Sequence, residues 1–326
     1  MTTESPSNPD RGSQESLPQI AQFRAIEALN EFYAANGWAS EYVQISAGTL
    51  RIEVGAEEVG DITLGREQVN QRVVGSARSG DDMFSILVSL GGLDPIVNGH
   101  HIGENNLLLI SPGSDMDIVM DAGTDVATVA VPRDMFVEHL LAVGDDDSLL
   151  ATKDIADLQL QREQVDSLRR SARELMSGRS DQKAPDSVFV SRLARAMVRQ
   201  GTRNKVGDRY CRLSRHRVVK RAREYIHAHL EEPILVPDLC SHCGVGLRTL
   251  ERTFKSSFGT TPKRYILAAR LNAARRDLLN ADLSNIPIAH IAMGNGFAHM
   301  GRFARNYKRI FGHLPSADRK LAYKKH

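Results

Sequence analysis

The hydrophobic and polar positions change period along the chain. From Glu41 to about Pro132 the apolar residues come in short runs, YVQISAG, TLRIEVGA, DITLGREQV, FSILVSL, NLLLISPG, DIVMDAG and DVATVAV, separated by Gly, Asp and Asn. Runs of this length bounded by turn formers predict strands. Seven or eight at such spacing predict a small antiparallel barrel or sandwich. Asn98-Gly99 predicts a tight hairpin, because both central residues of a type I′ turn need positive φ. Ahead of the strands, Phe23, Ile26, Leu29 and Phe32 recur every three residues and predict a short helix over Ile20 to Ala34.

After Pro132 the period becomes helical. Val165, Leu168, Ala172 and Leu175 make a narrow apolar seam flanked by charge, and Val190, Leu193 and Met197 make a second one between Ser187 and Arg199. Two such helices either cap the barrel or meet their own copies across a dimer interface. The segment 201–214, GTRNKVGDRYCRLS, has no periodicity and reads as a linker. The first 18 residues, rich in Ser, Pro, Asn, Glu and Gln, read as a disordered tail.

The C-terminal part contains a repeat. RTFKSSFGTTP at 252–262 aligns with RNYKRIFGHLP at 305–315, matching Arg252 with Arg305, Lys255 with Lys308, Phe258 with Phe311, Gly259 with Gly312 and Pro262 with Pro315. Each copy reads as a short helix, a glycine-containing turn and a second helix. In the first, Leu239, Cys240 and Cys243 precede a turn at Gly244-Val245, and Leu247, Leu250, Phe254 and Phe258 form the stripe of the second helix. In the second, Ile288, Ile291 and Ala292 precede a turn at Asn295-Gly296-Phe297, and Met300, Phe303, Tyr307 and Phe311 form the stripe. His216 to Leu230 predicts a preceding helix. A long helix runs from an N-cap at Thr261 through Pro262 to Asn280 and joins the two units.

Charge separates the halves of a nearly neutral chain. Residues 214–326 carry 21 Lys and Arg against 8 Asp and Glu, whereas residues 1–213 hold 21 basic and 32 acidic side chains. A basic half that also holds two helix-turn-helix units predicts a double-stranded DNA partner. With the stripes buried, the first unit presents Arg248, Thr249, Glu251, Arg252 and Lys255. The second presents Gly301, Arg302, Arg305 and Lys308, with Met300 at the head of its helix counted in the same set. Arg donates two parallel hydrogen bonds to guanine, Glu accepts from cytosine, and Lys or Arg at the rim neutralises phosphate. Two such helices in successive major-groove segments of one duplex face lie about one turn apart, roughly 10 to 10.5 base pairs.

Other chemistry recedes on the same ground. The composition, 326 residues with 41% hydrophobic and 25% charged, is that of a globular protein of about two domains. No apolar run approaches the ~20 residues of a membrane span and the start lacks a signal-peptide pattern, so a cytoplasmic protein is expected. Cys240 and Cys243 share a C-x-x-C spacing without a second ligand pair, and the adjacent His100 and His101 point to opposite faces of a strand. No metal and no cofactor are expected, and no phosphate-loop, nucleophile-elbow or dinucleotide pattern supports an enzyme. Trp38, Tyr42 and Phe84 are the aromatic candidates for a pocket, with core packing as the other reading.

The residues CGVGLRTLERTFKSSFGTTPKRYILAARLNAARRDLL and IAHIAMGNGFAHMGRFARNYKRIFGHLPS resemble the double helix-turn-helix domain of AraC/XylS-type transcription regulators. The N-terminal strands resemble, in pattern and position only, the cupin-like sensory domain of that family. The resemblance implies a multidomain α+β protein with a disordered tail at 1–18 and a cupin-like sensory β-barrel at 19–140. A helical dimerisation and linker region at 141–205 and a DNA-binding domain at 206–326 complete it. It also implies a ligand-responsive activator, an unnamed small-molecule effector, contact with RNA polymerase and a homodimer. The alternatives are a ligand-independent architectural protein or repressor and, last, an enzyme fused to a DNA-binding domain. Two positions depart from the family pattern: Gly246 stands where a capping Ser is usual, and Gly301-Arg302-Phe303 alters the entry to the second recognition helix.

Overall fold

The structure, a computed structural model, describes residues 19–35, 38–144, 155–176, 185–200, 206–283 and 285–323. Strand β1 (Gln19–Phe23) leads into helix α1 (Ile26–Ala35). Strands β2 (Ser40–Gln44), β3 (Ile52–Val59), β4 (Ile62–Val69), β5 (Val73–Arg78), β6 (Met83–Gly91), β7 (Ile96–Val97), β8 (His100–His101), β9 (Asn106–Ile110), β10 (Asp115–Met120) and β11 (Asp125–Pro132) follow. Helix α2 (Arg133–Ala142), strand β12 (Ile155–Gln159) and helices α3 (Arg162–Met176) and α4 (Pro185–Gln200) complete this part. The strands pair antiparallel in two sheets, β1-β3-β4-β11-β6-β9-β12 and β2-β5-β10-β7-β8.

The predicted helix over Ile20 to Ala34 is divided. Gln19–Phe23 pairs with β3 as an edge strand, and only the residues from Ile26 onward are helical. The stretch expected to be wholly helical after Pro132 also yields β12, which extends the larger sheet beside β9. At Asn98-Gly99 φ is 48° and 80°, as the hairpin between β7 and β8 requires.

Alternation along the strands explains why β6 and β9 read as unbroken apolar runs: both faces are covered. Phe84, Ile86, Val88 and Leu90 point away from the small sheet, where α2, α3 and α4 pack, while Leu87 and, on β9, Leu108 and Ile110 point between the sheets. The seams of α3 and α4 (Val165, Leu168, Ala172, Val190, Leu193 and Met197) are buried in this outer core. Capping the sheet is therefore what they do, and these side chains are not free to meet a copy. The side chain of Leu175 and the tail at 1–18 lie outside what the structure describes.

The helical part consists of α5 (Val206–Ala228), α6 (Val236–Cys243), α7 (Leu247–Phe258), α8 (Pro262–Leu279), α9 (Ile288–Gly294), α10 (Met300–Phe311) and α11 (Pro315–Tyr323). Helix α5 begins inside the expected linker, so 206–214 are helical, while 201–205 lie outside the described residues. Thr261 caps α8, its side chain accepting from Arg264 N at 3.4 Å. The sequence suggests one buried face for α8, but it is buried almost all round, from Tyr265 to Leu278. It lies between both helix-turn-helix units and β2, and its many Ala residues let those neighbours approach closely.

Candidate DNA interface and lumen

The repeat seen in sequence is a repeat in structure. α7 and α10 are each 12 residues long, and each ends at a glycine in the left-handed region, Gly259 at φ 63° and Gly312 at φ 84°. A side chain with a Cβ is strained there, which is why glycine recurs at this step. Leu250, Phe254 and Phe258 of α7 and Phe303, Tyr307 and Phe311 of α10 are buried at matching positions. Leu247, expected in the first stripe, is instead 53% exposed. Gly246 makes no side-chain cap, as its lack of a side chain dictates.

Of the predicted contact residues, Arg248, Glu251, Arg252 and Lys255 on α7 are exposed and Thr249 is half-buried; Gly301, Arg302, Arg305 and Lys308 on α10 are exposed. Met300 is half-buried against the core of the second unit. Glu251 and Arg302 line a common cleft of about 810 Å³ between the units, together with Lys263 and Asn306, which sequence reasoning did not single out; the other predicted residues lie outside it. Cys243 is buried beside Val218, and burial pushes its thiol pKa up, which suits a core residue better than a metal thiolate.

The two units are supported differently. In the first, Tyr265 of α8 stacks on Phe258 with centroids 5.2 Å apart and meets Phe254 edge-on at 5.8 Å. In the second, the carboxylate of Asp318, 1% exposed, accepts from Tyr307 Oη at 2.6 Å and Arg275 Nε at 3.0 Å and lies 2.8 Å from His313 Nε2. Arg275 also lies over the Phe311 ring at 4.6 Å.

The small sheet docks on the helical part. Val74 and Val119 enter the core of the first unit, Arg223 pairs with Asp117, and Lys220 pairs with Asp115, whose carboxyl is held below its ordinary pKa by that bond. Gln44 and Asn272 exchange two hydrogen bonds at 3.2 and 3.1 Å. Both recognition-type helices are held at their C-terminal ends: Arg72 Nη1 donates to Gly259 O at 3.3 Å, and Gly48 N and Gln44 Nε2 both donate to Ile310 O at 2.9 Å. Cationic and N–H donors suit the negative end of a helix.

Between the sheets lies a cavity of about 520 Å³. Trp38 and Tyr42 line it; Phe84 does not, and packs instead on Phe136 at 4.7 Å in the outer core. Strand β10 is its wall toward the helices: Met116, Ile118 and Met120 face the cavity, while Asp115, Asp117 and Val119 contact the helical part. Missed in sequence was Glu67, which lines the cavity with its Oε1 buried and unbonded and whose pKa is pushed up to about 7 by burial. His101 is exposed, whereas His100 is half-buried with Nδ1 3.2 Å from Asp157. Among the described residues no helix is long and apolar enough to cross a membrane.

The repeated units, each with a buried stripe and an exposed basic face, define a helix-turn-helix protein. A helix-turn-helix domain family matches residues 239–321. The chain is 42% identical over 101 residues to a probable thc operon regulatory protein of Rhodococcus erythropolis, covering 31% of this chain and 30% of that one. It is 36% identical over 97 residues to a XylDLEGF operon transcriptional activator of Pseudomonas putida, covering 30% of each. The chain thus spans under a third of the length of these curated relatives. A transcriptional regulator structure from Chromobacterium violaceum, with an AraC-type DNA-binding domain, is 31% identical and covered over 95% of its length and 33% of this chain, with a TM-score of 0.31. Over residues 239–321 the chain thus carries a helix-turn-helix domain similar to those of transcription regulators.

Proposed function

We propose that this protein is a sequence-specific, ligand-responsive transcription activator. The observation that carries the DNA-binding reading is the duplicated unit, with Arg252 and Lys255 recurring as exposed Arg305 and Lys308 on matching helices. Arg248, Thr249, Glu251, Arg252 and Lys255 would enter one major-groove segment. Met300, Gly301, Arg302, Arg305 and Lys308 would enter the next, about one turn away. The organisation we assign is a sensory part at 19–140, a connecting region at 141–205 and a DNA-binding part at 206–326, acting in the cytoplasm as a homodimer and touching RNA polymerase, with no enzymatic step of its own.

Regulation follows from the shared wall. A ligand between the sheets presses on Met116, Ile118 and Met120, while the opposite face of the same strand holds Lys220 and Arg223. A ligand that favours one arrangement of this wall shifts the population toward it, by a coupling free energy equal to its differential affinity. Because the loop after β2 also holds the end of α10, such a shift alters the spacing of the two recognition helices.

The test is selection of random duplexes by the full chain at two salt concentrations. Two enriched motifs about 10 to 10.5 base pairs apart are expected. Unselective binding that falls steeply with salt would mean phosphate contact alone, and would replace this reading with an architectural protein.

A further inference from the structure

Among the described residues, three polar atoms around the lumen have no partner. Tyr33 Oη, Ser40 Oγ and Glu67 Oε1 are buried without a hydrogen bond, and all three residues line the one cavity between the sheets. A buried donor or acceptor left unpaired costs roughly 1 to 3 kcal/mol, so three converging on one space mark a place where a partner arrives. The rest of the wall is mainly apolar, with Leu87, Val97, Met116, Ile118 and Val126 among it. At one side Trp38 stacks on Tyr33, centroids 5.4 Å apart and planes 15° from parallel, offering an aromatic edge. A volume of about 520 Å³ is that of a site for a small organic molecule.

The charges around this space select among such molecules. Arg66, next to Glu67 on β4, is held by Asp125 at 2.9 and 2.8 Å. Arg78 and Asp81 face each other at 3.4 Å and are more than half exposed. Among the described residues, Glu67 is left as the lining acid or base without a counterion. We propose that the lumen binds a small organic cation, a protonated amine on an apolar or aromatic body, with its ammonium on Glu67 and its body along Met116, Ile118 and Trp38. This rests on the ligand-responsive reading above and names the class of ligand. An organic anion would bring like charge against Glu67 in a space of low dielectric. An ammonium instead stabilises the ionised carboxylate, offsetting the burial that otherwise favours its neutral form.

The experiment uses the full chain and its single tryptophan, Trp38, whose emission reports the state of the cavity directly. Three probes that share one ring are titrated at constant ionic strength: 2-phenylethylamine, 2-phenylethanol and phenylacetate. The amine is expected to bind at least tenfold more tightly than the alcohol, and the acid more weakly than either. Glu67→Gln is expected to abolish the amine's advantage while leaving the alcohol's affinity within about twofold. Phenylacetate binding as well as the amine, or an amine affinity unchanged in Glu67→Gln, would overturn the proposal. If that variant does not fold, the ranking of the probes on the unaltered protein still decides. Alcohol and amine binding equally would sink the cation while leaving a ligand-responsive lumen. No change in Trp38 emission or melting temperature with any probe at millimolar concentration would sink both. DNA binding by the same preparation is read separately.

Discussion

The two helix-turn-helix units share a backbone and differ in what holds it. Both place three large side chains at the same steps of a 12-residue helix and close it with a left-handed glycine. The first unit completes its core with neutral rings, Tyr265 stacked against Phe254 and Phe258. The second completes it with charge, Asp318 gathering Tyr307, Arg275 and His313. Neutral packing tolerates rearrangement of similar volumes, whereas a buried ion pair depends on every partner being present. A duplicated fold therefore does not imply duplicated energetics. The second unit is also tied to the strand-rich part through Glu27, 4.0 Å from Arg275 and itself buried with its pKa raised by desolvation.

That contrast can be broken by mutation. Asp318→Ala removes the hydrogen-bonded counter-charge of the Arg275 guanidinium, leaving only Glu27 at 4.0 Å, and is expected to cost about 3 to 5 kcal/mol in urea unfolding. Its hydrogen-exchange loss should concentrate in α10 and α11. Phe254→Ala, expected to cost a similar 3 to 5 kcal/mol by leaving a cavity, should loosen α6 and α7 instead. Equal loss of protection in both units from either change would show one cooperative core rather than two. Asn272→Ala leaves Gln44 N and O without their partner at the junction and should cost about 1 to 3 kcal/mol; unchanged proteolysis between the two parts would count against the junction. The smallest effect is expected at Gly246, where an added Cβ meets nothing within 4 Å and φ is an ordinary −72°. Gly246→Ser should raise stability by a few tenths of a kcal/mol through the missing cap, read as a small rise in Tm, and a fall would contradict the capping account.

The helical part was legible because its signals are local. The offset between Phe258-Gly259 and Phe311-Gly312 and the cap at Thr261 located α7, α8 and α10 closely. Leu247 misled because it continues the stripe by spacing, yet at the first turn of α7 it borders the open cleft between the units and stays 53% exposed. The strand-rich part was legible as a class but not in its faces. In DITLGREQV alternation places Ile62 and Leu64 on one face and Thr63, Gly65 and Glu67 on the other, without fixing which face turns inward. The polar set lines the lumen, because α3 and α4 cover the apolar outer face. Alternation tells which residues share a face, and only the long-range packing tells where that face points. For the same reason Glu67, and the hold of Arg72 and Gln44 on the ends of two distant helices, had no signature in the chain.

The central claim is that each unit reads its own segment of one duplex, and the direct measurement is affinity of Arg252→Ala and Arg305→Ala for the selected operator and for its single-base variants. Each replacement should leave urea stability unchanged and cost about 1 to 3 kcal/mol at one position, the two positions lying about one helical turn apart. Losses that are uniform across all base variants, or that fall at the same position for both replacements, would contradict independent reading by two recognition helices.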